Sequence, residues 1–150
     1  MREPDASMTV VMKAIPKQRP RFNFVTKKKP YTPKRTMTAE QIIRDKWVEK
    51  YKNVLFVDEP IKVSITFEIY RAAGHFKKDG SLSTQGLKTP HPIHYPDLDN
   101  IVKLVGDGLN QVAWDDDRRI TEVRCRKVWA KQNQPPRIII KIWRLLEKNQ

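Results

Sequence analysis

The chain is short of most features that would simplify its reading. It has one cysteine, Cys125, in 150 residues, so no disulfide within the chain and no cysteine-based metal site is possible. That residue reads as a small buried hydrophobe. The three histidines, His75, His91 and His94, fall in one stretch that also carries proline and glycine. His91-x-x-His94 lacks helical support there, so loop residues are expected in place of a metal pair. No apolar run approaches a membrane span, and Met-Arg-Glu-Pro-Asp at the start holds no apolar signal core. No internal repeat is present. A soluble, intracellular, single-domain protein is expected, large enough to bury a core.

Acids are also scarce. Seventeen Asp and Glu face thirty Lys and Arg, for a net charge of +13 and a pI near 10.0. An excess of this sign is not the one solubility favours. It points to a polyanion, with nucleic acid the first candidate and an anionic membrane surface the second.

The acids are concentrated. Tyr95 to Asp117 holds six aspartates, Asp97, Asp99, Asp107, Asp115, Asp116 and Asp117, against the single base Lys103. Its local charge is −5, and the other residues carry +18. Two carboxylates about 5 Å apart repel by roughly 3 kcal/mol at an effective dielectric near 20. A fold that gathers several of them usually has a cation to hold.

The rest of the chain supplies the frame. Thr9–Ile15 is β-branched and reads as a first strand. Pro16–Phe22 and Lys27–Arg35 are too rich in proline and cations for regular structure. Their cations Lys17, Arg19, Arg21, Lys27, Lys28, Lys29, Lys34 and Arg35 interleave with Phe22, Phe24 and Tyr31. That composition suits a surface that follows phosphates and stacks on bases. Thr38, with Gln41 three residues on, reads as a capping box. The helix it opens carries Ile42, Ile43, Trp47, Val48 and Tyr51 toward a sheet. Lys34 and Arg35, just before its N-terminus, would make a phosphate-binding corner.

Ile61–Tyr70 alternates as a strand with one buried face. Ala72–His94, with Lys77 and Lys78, shows no periodicity and reads as a long mobile loop. Ile120–Ala130 and Arg137–Trp143 read as strands, joined at Asn133-Gln-Pro-Pro into a hairpin. The tail from Arg144 is expected to fray.

Within the acidic stretch, Asp99 reads as an N-cap and Asn100–Leu109 as a helix. Leu98, Val102, Val105 and Leu109 fall on its core side, and Asp99, Lys103 and Asp107 on the other at steps of four. Asp-x-Asp alone is an ordinary cap-and-turn pattern, and an acidic turn alone is common. Together, two aspartates before a helix, a lysine one turn in and a further acidic run could converge on Mg²⁺ or Mn²⁺. Lys103 could then stabilise phosphoryl charge, or simply pair with Asp99 or Asp107.

Pro96-Asp-Leu-Asp-Asn-Ile-Val-Lys103, Asp107-Gly-Leu-Asn110 and Val112-Ala-Trp-x-Asp116-Asp117-x-x-Ile120 resemble the RusA-type Holliday junction resolvases, crossover-junction endodeoxyribonucleases common in prophages. Pro16–Phe22 and Tyr31–Arg35 resemble that family's N-terminal elements. The resemblance runs from about Met8 to Trp143. It implies a homodimeric α/β (α+β) protein, a small mixed sheet with two main helices, that cuts four-way DNA junctions with Mg²⁺, Mn²⁺ being a possible substitute. It also implies a cytoplasmic, nucleoid-associated protein of bacterial or phage origin. By the same resemblance Asp97, Asp99 and Asp117 are catalytic metal ligands with Asp116 beside them, and Lys103 is the essential lysine. Asp107 matches a recurrent aspartate.

Three departures stand out. Gly106 replaces a larger apolar residue, Arg118-Arg119 replaces a polar pair, and Asp115 lengthens the acidic run. Glycines 106 and 108 should weaken the helix, or permit a close helix contact, as at a dimer interface. Tyr95 could stack on an unpaired base at a junction centre, or equally serve as a packing aromatic. Two other readings compete: a non-catalytic basic nucleic-acid-binding module, and a metal nuclease acting on other branched or duplex DNA.

Overall fold

A computed structural model describes residues 2–11, 21–23, 28–31 and 34–146, with side chains described for 2–11 and 39–146. In chain order the elements are β1 (Ala6–Val11), β2 (Arg21–Asn23), β3 (Lys28–Tyr31), α1 (Lys34–Tyr51), β4 (Ile61–Ile69), α2 (Thr84–Lys88), α3 (Leu98–Leu109), β5 (Ile120–Trp129) and β6 (Arg137–Arg144). Strands β1, β6, β4 and β5 form one mixed sheet in that order. The β4–β5 pair is parallel, and both β6 pairs are antiparallel. The fold is α+β, with two main helices, α1 and α3, covering one face of the sheet.

The alternation expected in β4 is present: Ile61, Val63, Ile65 and Phe67 are buried. Ile138, Ile140 and Ile142 of β6 and Ala6, Met8 and Val10 of β1 continue the same buried face. Ile43, Trp47, Ile101, Leu104 and Leu109 close over it from the helices. The expected β5–β6 hairpin does not form, because β4 lies between them. The two strands with unbroken apolar rows take the centre. Strand β5, whose inward residues Val123 and Cys125 are only partly covered, takes the edge. Burial pushes the Cys125 thiol up to about 11.

Other boundaries also differ from expectation. Strand β1 begins at Ala6, opposite Ile142; residues 12–15 lie outside the described residues. The basic stretches expected to be irregular contain the antiparallel pair β2–β3. In a two-stranded ribbon every strand is an edge, so Pro30 is tolerated. Helix α1 starts at Lys34, so Lys34 and Arg35 open the helix and Thr38 lies inside it. Gln41 bonds Asp45 (2.6 Å) instead of closing a capping box. Its buried stripe is Ala39, Ile43 and Trp47, one residue every four. Ile42 and Val48 point outward, 41% and 46% exposed.

The segment from Ala72 to His94 is structured rather than a featureless loop. It holds a 3-10 turn at Ala73–His75, a bridge between Phe76 and Leu82, and α2, which is capped by the Ser83 hydroxyl. Arg71 pins it, donating to the carbonyls of Gly86 (2.7 Å) and Thr89 (3.0 Å). The same guanidinium lies over the rings of Phe76 and Trp129. Arg144, expected to begin a frayed tail, is likewise held. It bonds Glu59 and the Leu55 carbonyl and lies 4.8 Å from the centre of the Phe56 ring.

Candidate active site

Helix α3 starts earlier than its sequence suggests. Leu98 and Asp99 are already helical, and Asp97 takes the N-cap position without a side-chain capping bond. The buried stripe is Ile101, Leu104, Val105, Gly108 and Leu109. Relative to the expected stripe it is turned, leaving Leu98 41% exposed. The turn follows from Gly108, where the two helices close up. A Cβ built there would stand 3.2 Å from Ile43 Cγ2 and 3.4 Å from the Glu40 carbonyl oxygen. That is a close contact within the chain. At Gly106 nothing among the described residues lies within 4 Å of a built Cβ.

On the outer side Asp99 and Lys103 are exposed and Asp107 is half-buried, as the steps of four require. Asp97 and Asp99 occupy the N-terminal end of the helix, where free N–H groups stabilise anions. Neither carboxylate, nor the Lys103 ammonium, has a hydrogen-bond or ion-pair partner among the described residues. Eight residues of helix place the Cα of Asp107 about 12 Å along the axis from that of Asp99.

At the other end the chain turns through Asn110–Trp114 and a 3-10 turn, Asp117–Arg119, into β5. This turn separates the three consecutive aspartates. Asp115 receives two hydrogen bonds from Arg119, at 2.9 and 3.0 Å. They hold its carboxyl below the usual value. Asp116 caps the turn, accepting the Arg118 N–H at 2.8 Å, with the Arg118 guanidinium 3.1 Å away. It too is held low, first by that backbone bond. Asp117 holds no arginine among the described residues. Its Oδ1 accepts the indole N–H of the fully buried Trp114 at 2.8 Å. Burial raises its pKa against that hydrogen bond, and the charges of Asp107 and Asp116 raise it further.

Asp97 and Asp99 thus sit at the N-terminal end of α3, Lys103 one turn in, and Asp107 near its C-terminal end, where its charge is felt by Asp117. No group of three or more His, Cys, Asp or Glu residues is placed to hold a metal ion among the described residues. The donor chemistry still suits Mg²⁺, which is commonly bound through one or two carboxylates plus water and substrate phosphate. The Asp107–Asp117 pairing and the Trp114 support were not read from sequence. The signal available was a tryptophan three residues before Asp117, the spacing of one tight turn.

Tyr95 is 77% exposed, beside the acids. Lys77 and Lys78 are exposed in the turn between Phe76 and Leu82, and His91 and His94 are exposed. Of the basic residues named from sequence, Lys17, Arg19 and Lys27 lie outside the described residues. Arg21, Lys28 and Lys29 fall on β2 and β3.

The fold and site define a class: a small α+β protein that presents carboxylates and one lysine from a basic body. The family described as endodeoxyribonuclease RusA matches residues 12–143, and the chain belongs to that family. No curated protein matches it. Membership implies an endonuclease of the kind that resolves Holliday junctions. Among the described residues no helix is long and apolar enough to cross a membrane.

Proposed function

We propose that the protein is a Mg²⁺-dependent, structure-specific endodeoxyribonuclease that resolves four-way DNA junctions in recombination and repair. The observation that carries this reading is the pair of exposed carboxylates Asp97 and Asp99, without partners among the described residues and one turn before Lys103, on a body of net charge +13. Like charges left without partners on a folded surface make a place for a cation.

In this reading Asp97 and Asp99 at one end of α3 and Asp117 at the other are the residues that would hold metal, with Asp107 beside Asp117 and Asp116 at the margin. Water and substrate phosphate would complete the ligands. Bound there, Mg²⁺, or Mn²⁺ in its stead, would supply an activated water and charge stabilisation for the leaving oxygen. Lys103 faces the phosphate and offsets the charge that builds on its oxygens. Trp114 fixes the Asp117 carboxylate against the core. In hydrolysis a water oxygen bonds to phosphorus, one phosphorus–oxygen ester bond breaks, and the departing sugar oxygen is protonated. The cations Lys17, Arg19, Arg21, Lys27, Lys28, Lys29, Lys34, Arg35, Lys77 and Lys78 carry the arms of the junction, and Tyr95 stacks on a base at its centre.

Two matched cuts in a two-fold junction call for two sites, hence a homodimer. Such an enzyme would work in the cytoplasm, on bacterial or phage DNA. The test is a labelled four-way junction and a linear duplex, each with Mg²⁺ or EDTA. Paired cuts in the junction with Mg²⁺ alone are expected. No product on any branched DNA would leave a non-catalytic binding module, and equal cutting of duplex would leave a nuclease of other specificity.

A further inference from the structure

Both main helices cover the same face of the sheet. On the other face β4 contributes Lys62, Ser64, Thr66 and Glu68, all partly exposed. No element covers this face among the described residues. Directly paired residues share a face, so the register fixes its neighbours. Ser64 lies between Lys141 of β6 and Arg124 of β5, and Thr66 lies between Ile139 and Arg126. Together they line a shallow trough of about 280 Å³.

The charges there are unevenly satisfied. Glu68 is occupied by Arg137 and Gln134 at one end. Lys62 lies 3.7 Å from Glu122 at the other. In the middle, Arg124 and Lys141 are exposed and have no ion-pair partner among the described residues. Among the described residues Arg126 reaches only the Thr66 hydroxyl, at 3.4 Å. Arg124 and Lys141 stand two strand spacings apart, about 10 Å, and Arg124 and Arg126 about 6.7 Å apart along β5. The second spacing is of the order of that between successive phosphates on one strand. Hydroxyls sit between the cations, and both groups are regular phosphate contacts.

We propose that this open face is a second DNA-binding surface, holding the sugar–phosphate backbone of a duplex arm on the side of the sheet away from α3. It rests on the reading that the partner is DNA and extends that reading to a surface remote from the acids. A second copy of the chain fits the face poorly. Stacking two such faces would set unpaired cations against their own images, a repulsive arrangement. A polyanion supplies the missing counter-charges and releases its own counterions.

The test is the salt dependence of four-way junction binding in EDTA, with wild type, Arg124→Gln/Lys141→Gln, and a control, Lys46→Gln/Lys131→Gln, that removes the same charge elsewhere. Melting temperatures verify folding, and Arg124→Lys/Lys141→Arg keeps the charges. The slope of log affinity against log salt should become shallower by about two in the sheet-face variant. It should be little changed in the control and restored in the charge-conserving variant. An unchanged slope, an equal loss in the control, or a change in association state without a change in slope overturns the proposal. Wild type that binds no junction would sink the functional reading as well; wild type that binds with an unaltered variant slope sinks the sheet face alone.

Discussion

The two ends of α3 solve the same electrostatic problem differently. At the N-terminal end Asp97 and Asp99, one residue apart in sequence, are exposed and without partners among the described residues, beside the free N–H groups of the helix. At the C-terminal end Asp107 and Asp117 are half-buried, and a buried indole fixes one carboxylate. The first end can adapt to whatever arrives, while the second is set by the core. Neutralising cations are spent on Asp115 and Asp116, so the aspartate left open is the one best held in place.

The comparison breaks most directly if the two ends prove unequal in chemistry. Asp99→Asn and Asp117→Asn should each lower junction cleavage by roughly 10³-fold, as losing a metal ligand or charge stabiliser does. Junction binding in EDTA should persist, because removing negative charge does not weaken phosphate contacts. A variant that still cuts at the wild-type rate removes its end from the site.

A finer distinction is tested at Trp114. Trp114→Phe keeps the apolar filling and deletes the bond to Asp117. We expect a stability loss of about 1 kcal/mol and a cleavage loss of roughly tenfold, read by thermal melting and by junction assay. Equal activity would mean that the indole serves packing alone.

The glycines sharpen the geometry. Gly106→Ala meets open space and should stabilise the helix by about 0.5–1 kcal/mol. Gly108→Ala meets the fixed Ile43 side chain, and we expect a loss of roughly 1–2 kcal/mol from overpacking. Thermal melts that rank them in the opposite order would refute the close α1–α3 approach.

The smallest effect concerns pH. A carboxyl whose pKa is raised on folding favours the folded state at low pH, and that contribution is lost as pH rises through the raised value. Asp117 should therefore cost stability at neutral pH in the metal-free protein. Asp117→Asn should melt slightly above wild type at pH 7 in EDTA, by less than about 1 kcal/mol given its exposure. The gap should close below the ordinary carboxylate pKa. A lower melting point for the variant at pH 7 would show that Asp117 is net stabilising.

Periodicity revealed β4, the two outer strands of sequence and both main helices, because those signals are local. Alternation at Ile61–Ile69 and the acid–lysine–acid steps on α3 need no partner to be read. Strand order was not readable: an apolar run says that β6 is buried, but not that β4 stands between it and β5. The rotation of α3 was hidden for the same reason, since it depends on Gly108 meeting Ile43 from another helix. The three adjacent aspartates looked equivalent until Arg118 and Arg119, which follow them directly, were seen to fold back onto two. The order of Ala72–His94 came from Arg71 and Trp129, residues at and beyond its ends.

The pairing of Ala6 with Ile142 has a consequence for how the molecule comes into being. Strand β6 is the seam of the sheet, joining β1 on one side to β4 on the other, yet it comes last of the four in chain order. Until it leaves the ribosome, β1 has no neighbour in the sheet, and only the parallel β4–β5 pair can form. Such distant pairings close slowly because the chain must lose loop entropy before the contact stabilises it. A fragment ending before Arg137 should lack the cooperative melt of the full chain. Neither end of α3 would then be held in place until β6 has docked.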